Sequence, residues 1–240
     1  KVGLFGIGLE AYWPQFSGLK ERLEGYLGEI HAMLEGFGAE VLDHGLVDTP
    51  EKSVRVGDAF KEADLDIVFL FISTYALSST VLPVAQRAGS PIVVLNIQPV
   101  PRIDYEAFNA IGDRGTMTGE WLAHCQACCV PEIASVFKRA GISYHLVTGY
   151  MQEERTRREL QEWVDAAGVR RVMRDNRLGV MGHYYDGMLD VYTDMTRQLA
   201  AFGGSLDLLE IDELAALRDA VTAADLRAKR AEFEREFAVA

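Results

Sequence analysis

Two uninterrupted apolar runs, Ile67-Val-Phe-Leu-Phe-Ile72 and Ile92-Val-Val-Leu95, constrain this chain more than any other feature. A strand with one wet face alternates apolar and polar residues, because successive side chains point to opposite sides. Runs apolar at every position need cover on both sides, as in parallel strands sandwiched between helices. The rest of the chain supplies that cover in a strand–helix rhythm. The sequence predicts strands at Val2–Ile7, Glu40–Leu42, Asp66–Ile72, Ile92–Ile97 and Tyr144–Thr148. Between and after them it predicts helices at Gly18–Phe37, Pro50–Ala63, Ser78–Ala88, Gly119–Ala140 and Glu153–Asp175. In the first helix Leu19, Leu23, Tyr26, Leu27, Ile30 and Leu34 share one stripe, Ser17 is the expected N-cap, and Gly36 and Gly38 mark the stop. Alternation of this kind predicts an α/β fold with a doubly wound parallel sheet, a flavodoxin-like three-layer αβα arrangement.

The charged stretch Arg174-Asp-Asn-Arg177 reads as a boundary. The expected domains are 1–176, the N-terminal α/β domain, and 177–240, the beginning of a second α/β domain. That second part offers strands at Leu178–Met181 and Leu206–Leu209 and helices at Thr193–Phe202 and Leu226–Phe237. Two strands do not build an independent core, so the chain is expected to be part of a longer polypeptide.

Charge narrows the function. With 36 acidic and 24 basic residues the formal charge is −12, which disfavours nucleic acid and anionic membrane surfaces as partners. No apolar run approaches the roughly 20 residues that span a bilayer, and Lys1–Gly8 reads as a first strand, not as a signal peptide. All three cysteines lie within Cys125–Cys129. An odd cluster is no disulfide framework, so the expected compartment is a reducing cytoplasm. A structural zinc site would need a second ligand pair. A buried helix of small residues accounts for the cysteines better, and placement within a helix disfavours a thioredoxin-type redox role.

Gly6-Ile-Gly8-Leu-Glu-Ala11 follows the first strand and fits GxGxx(G/A). The nicotinamide reading needs a helix starting inside the motif, whereas Tyr12-Trp-Pro-Gln-Phe16 intervenes. The alternative is a long loop at the carboxyl end of a strand, where open α/β sheets bind ligands. There Trp13 and Gln15 would offer a stacking face and an amide, or Trp13 and Phe16 would pack the loop onto the sheet. The loop Gly182-His-Tyr-Tyr-Asp-Gly-Met-Leu-Asp190 combines aromatics and carboxylates suited to a polyol, or packs between domains. Nucleophile-elbow, phosphate-loop, HExxH and EF-hand patterns are absent.

Tyr12-Trp-Pro-Gln-Phe-Ser-Gly-Leu-Lys-Glu-Arg-Leu-Glu-Gly-Tyr26, Val147-Thr-Gly149 and Leu178-Gly-Val-Met-Gly-His-Tyr-Tyr-Asp-Gly-Met-Leu-Asp-Val-Tyr-Thr-Asp194 resemble the L-arabinose isomerase family and its L-fucose isomerase relatives, most nearly the divergent arabinose-isomerase-like branch. The resemblance runs over essentially the whole chain and over the N-terminal half of a family member. It implies carbohydrate metabolism: an aldose–ketose isomerase acting on L-arabinose or a related pentose or deoxyhexose. In such enzymes a divalent ion, usually Mn2+, polarises the carbonyl while a glutamate pair moves the proton. The metal and catalytic residues of the family have no counterparts here, so those ligands are expected outside this chain, which alone would be inactive. The resemblance implies substrate contacts at Gln15, Tyr75, His124 and Met188, with His124 supplied to a neighbouring subunit, and a homo-oligomer, a hexamer. A non-catalytic sugar-binding or regulatory module is the alternative.

Overall fold

A computed structural model describes residues 1–182 and 184–237. The chain divides into two compact units, Lys1–Val169 and Arg170–Ala240.

The first unit is built on five parallel strands: β1 (Val2–Ile7), β2 (Val41–Val47), β3 (Ile67–Phe71), β4 (Ile92–Gln98) and β5 (Tyr144–Tyr150). Their order is β2-β1-β3-β4-β5, the order of flavodoxin-like doubly wound sheets. Helices cover both faces, and the apolar runs divide between them residue by residue. Ile67, Phe69 and Phe71 join Leu19, Leu23, Leu27, Ile30 and Leu34 of α1 (Leu19–Gly36) and Leu160 and Val164 of the helix Glu154–Asp175 in one core layer. Val68, Leu70 and Ile72 join Val56 and Phe60 of α2 (Pro50–Glu62), Val84 of α3 (Leu82–Ala88) and Phe137 of the helix Val130–Arg139 in the other. The fold class therefore follows from the period-two division of strands buried on both sides.

Local chemistry corrects four of the expectations. The N-cap of α1 is Gly18 at φ +78°, not Ser17, and it makes no side-chain cap. Strand β2 does not stop at Leu42. Leu4 pairs with Asp43 and Gly6 with Leu46, so β2 carries one extra residue, a bulge. Gly45 supplies the required φ of +67°, and its N–H donates to Asp43 Oδ1 at 2.8 Å, so Asp-His-Gly continues the strand past its expected end. The helix expected over Gly119–Ala140 is interrupted. Between β4 and β5 lie α4 (Tyr105–Ala110), α5 (Arg114–Ala123) and α6 (Val130–Arg139), with Asp104 and Asp113 capping the first two. Pro131 occupies the first turn of α6, where its missing N–H costs nothing, and a continuous helix would have placed it in the interior. Finally, the cysteines sit in the α5–α6 turn, and Cys125 and Cys128 form a disulfide where only free thiols were expected.

The two helices that follow β2 and β3 touch closely. A Cβ on Gly57 of α2 would lie 2.8 Å from Arg87 Cβ and 2.9 Å from the Pro83 carbonyl oxygen of α3. Both obstacles are backbone or next to it, so the helices must separate to admit a methyl group. Gly57→Ala is expected to cost about 1–3 kcal/mol despite the better helix propensity of alanine, measured by urea unfolding; a gain in stability would show that the contact is looser than drawn.

Helix α7 (Glu154–Asp175) spans the division between the units. In the second unit, β6 (Arg177–Met181) and β7 (Ser205–Leu209) pair in parallel, joined through α8 (Met195–Phe202). Helices α9 (Ile211–Ala220) and α10 (Ala223–Glu236) follow, the latter with a Thr222/Asp225 capping box. Arg177 and Asp207 form a cross-strand ion pair at 2.5 Å, while Leu208, Ile211, Leu214 and Leu217 remain exposed. No described helix is long and apolar enough to cross a membrane.

Candidate functional site

The carboxyl ends of β1 and β3 flank the point where the strand order reverses, the place where doubly wound sheets open a crevice. Ser73 Oγ donates to the Ile7 carbonyl and ties the two strand ends together. The loop after β1 is folded back by a short 3-10 turn at Glu10–Tyr12. The Trp13 indole N–H donates to Asp48 Oδ2 at 2.8 Å, beside the end of β2. A Cβ on Gly8 would lie 2.7 Å from Trp13 Cζ2, so the ring covers the glycine surface that a pyrophosphate would have to approach. Trp13 therefore packs the loop onto the sheet, and the helix at the GxGxxA motif starts only at Leu19, away from the glycines.

What this loop leaves open is a cleft of about 410 Å³ between it and α5, lined by Gln15, Phe16, Ser17, Arg22, Asp113, Thr116 and Glu120, among others. That volume falls within the roughly 300–1,000 Å³ of small-molecule sites. Gly119 of α5 lies against Phe16, which a Cβ there would meet at an ordinary contact distance of 3.5 Å. The cleft's charge centre is a two-pronged pair: Arg22 Nη1 and Nη2 donate to Glu120 Oε2 and Oε1 at 2.5 and 3.2 Å, and Arg22 Nε donates to the Tyr26 hydroxyl at 2.6 Å. The hydrogen bond from Arg22 holds the Glu120 carboxyl below its usual range, so it is ionised at neutral pH. Asp113, at the mouth, accepts from the Thr116 N–H and hydroxyl at 2.7 and 2.8 Å, which lowers its pKa as well.

Arg22 and Glu120 also line a second cleft of about 390 Å³ with Val100, Arg102 and Asp104 of the loop after β4 and with His124. His124 ends α5 and is largely covered; its Nδ1 lies 3.0 Å from the Glu120 carbonyl oxygen and 3.5 Å from Glu120 Oε1. Gln15 and His124, 109 positions apart by their numbers (124 − 15), thus stand on two clefts that share one ion pair.

Tyr75 follows β3, is half-buried and packs against both core layers, and does not line either cleft. It stands beside Tyr12, whose phenol is pushed up chiefly by burial and further by Tyr75 and Cys129. Met188 belongs to the second unit and is exposed. In the same loop the Tyr184 hydroxyl donates to the Thr193 carbonyl at 3.0 Å and its ring packs against Tyr192, tilted by 42°, at 5.1 Å between centroids. His183 of that loop lies outside the described residues.

Sequence reasoning missed Arg22, Asp113, Thr116 and Glu120. Asp113-x-x-Thr116 was open to recognition as a helix cap. Nothing in the sequence pairs Arg22 with Glu120, 98 positions away.

No protein-family model matches the chain, and no curated protein matches it either. What fold and site define together is a class: a doubly wound α/β unit with a polar, charge-paired cleft at the carboxyl edge of its sheet.

Proposed function

We propose that this chain is the N-terminal, sugar-holding portion of a metal-dependent aldose–ketose isomerase acting on L-arabinose or a related pentose or deoxyhexose. The observation that carries the reading is the cleft beside β1. Its wall joins an amide (Gln15), a hydroxyl (Thr116), a guanidinium and a carboxylate (Arg22, Glu120) and the ring of Phe16. Sugars offer this combination its complement: vicinal hydroxyls that donate to a carboxylate and accept from a guanidinium, and a C–H face that rests on an aromatic ring. The resemblance of the loop and of the Leu178–Asp194 segment to arabinose and fucose isomerases supports the same reading. Gln15 and His124 are the proposed contacts in the first unit, Tyr75 the aromatic beside the crevice, and Met188 the contact carried by the second unit.

Among the described residues no three His, Cys, Asp or Glu side chains gather where a metal ion could sit. The residues present therefore do not fit a manganese site, and no step of the reaction is assigned to this chain. The ion's ligands belong, on this reading, to polypeptide beyond it. A hexamer in the cytoplasm, with His124 reaching a neighbour's pocket, completes the proposal.

Calorimetry of the 240-residue chain with L-arabinose, L-fucose and Mn2+ tests it. Sugar binding with weak metal binding and no isomerisation is expected, with turnover restored in the full gene product. Manganese-dependent turnover by this chain alone, or no sugar binding at all, overturns the reading. Tight metal-free binding with no turnover by the full product favours the non-catalytic module.

A further inference from the structure

The turn between α5 and α6 carries three cysteines that the structure makes chemically unequal. Cys125 is buried and 1% exposed, Cys128 is exposed, and Cys129 is fully buried. Cys125 and Cys128 are joined, with Cα atoms 5.5 Å apart. Cys129 caps α6, and its sulfur lies 3.5 Å from the Thr74 carbonyl oxygen. Burial pushes the Cys129 thiol up, so it stays protonated and unreactive at neutral pH.

We propose that Cys125–Cys128 is a reversible dithiol–disulfide couple that exchanges with small thiols of the glutathione class, entered at the Cys128 sulfur. Three observations point to exchange and not to a permanent staple. First, the bond closes a loop with only Gln126 and Ala127 between its ends, so it constrains the unfolded chain far less than a long-range bridge does. Second, Cys128 is an exposed residue and Cys125 a buried one, which makes Cys128 the side from which an outside thiolate can approach. Third, Cys128 directly precedes the N-cap of α6, the positive end of the helix dipole, which favours a thiolate.

The turn has a frame that does not depend on the S–S bond. Gln126 Nε2 donates to the carbonyls of Ser73 and Ala123 at 2.9 and 2.8 Å, and Thr74 Oγ1 donates to the Leu122 carbonyl at 2.7 Å. These bonds hold both sulfurs near one another when the link is open, so it can re-form.

The exchange balances. A thiolate attacks Cys128 Sγ, a mixed disulfide forms, the Cys125–Cys128 bond breaks, and Cys125 leaves as a thiolate that takes a proton. A second thiolate attacks the sulfur of the bound small thiol and releases the small disulfide and the Cys128 thiolate. Two electrons pass from the two small thiols to the protein. In the oxidising direction a small disulfide glutathionylates Cys128, and Cys125 displaces the glutathione.

The test equilibrates the whole chain with glutathione mixtures, quenches with acid, alkylates under denaturing conditions and locates the label by mass spectrometry. Alkylated cysteines should rise from one (Cys129) to all three as the mixture becomes reducing. A count that stays fixed across the whole range, open or closed, overturns the proposal. With oxidised glutathione, Cys125→Ser should trap one glutathionyl group on Cys128, and Cys128→Ser should trap none. Label on Cys129, or on Cys125 in Cys128→Ser, overturns the assignment of Cys128 as the entry point. The wild-type titration decides the couple itself even where a variant fails to fold.

Discussion

Replacing Phe69 by alanine is expected to lower the stability of the first unit by about 3–5 kcal/mol, the range for deleting a buried aromatic ring. Phe69 is fully buried at the centre of β3, paired to Leu4 of β1 on one side and to Val93 of β4 on the other. All three side chains belong to one core layer, under helices α1 and α7. The strand is held by hydrogen bonds on both edges, so it cannot sink to fill the space, and the covering helices are tied to neighbours of their own. A cavity therefore persists, and its cost adds to the lost transfer energy. Because a domain is stable by only about 5–15 kcal/mol, the variant should unfold at a much lower urea concentration with an unchanged slope. Ile30→Val, in the same layer, should cost about 0.5–1.5 kcal/mol. A loss for Phe69→Ala no larger than that would mean the sheet face is not packed as described.

The second large effect concerns the cleft. Arg22→Ala should weaken sugar binding about tenfold to a hundredfold, the worth of a hydrogen bond to a charged group once its partner is removed. Arg22 both faces the cleft and fixes the Glu120 carboxylate, so its removal takes away one donor and frees an acceptor to move. The same substitution has a pH signature. The folded-state pKa of Glu120 lies below its ordinary value, with the hydrogen bond from Arg22 as the first cause. A depressed carboxylate pKa stabilises the fold at pH above the unfolded value of about 4.3, and that contribution is lost as the pH falls through the folded value. The wild-type advantage over Arg22→Ala should therefore be present at neutral pH and fade in acid below about pH 4.3. The pair is partly open to solvent, so the advantage should be about 1 kcal/mol or less. Unchanged sugar affinity in the variant would remove this cleft from the proposed site, and an advantage that persists in acid would mean that Glu120 is not the group responsible.

Legibility in the sequence tracks the range of the interaction. The apolar runs at Ile67–Ile72 and Ile92–Leu95 declare two buried strands because period and burial are written in consecutive residues. The stripe from Leu19 to Leu34 declares α1 in the same way. Where one local signal stands for two structures, the reading fails. The strand expected to stop at Leu42 continues through a bulge at Asp43-His-Gly45, because β1 offers hydrogen bonds on the far side of it. The small-residue stretch around Cys125 looks like helix and is a turn, because Pro131 suits only a first turn and Gln126 finds carbonyls at Ser73 and Ala123.

The candidate site shows the same division. Gln15 and His124 were expected as ligand contacts and the loop after β1 as a ligand loop, and each of the two residues lines a cleft. The ion pair that joins their clefts was not, since Arg22 and Glu120 meet only when α1 and α5 pack side by side. The unequal exposure of Cys125, Cys128 and Cys129 was also invisible, because exposure is a property of the packed turn.

By itself the sequence determined the layered α/β fold, since covering strands that are apolar on both faces admits few other arrangements. The tertiary structure decided strand order, the bulge in β2, the Arg22–Glu120 pair and the turn that holds the cysteines, because these depend on groups far apart in the chain that only packing brings within bonding distance.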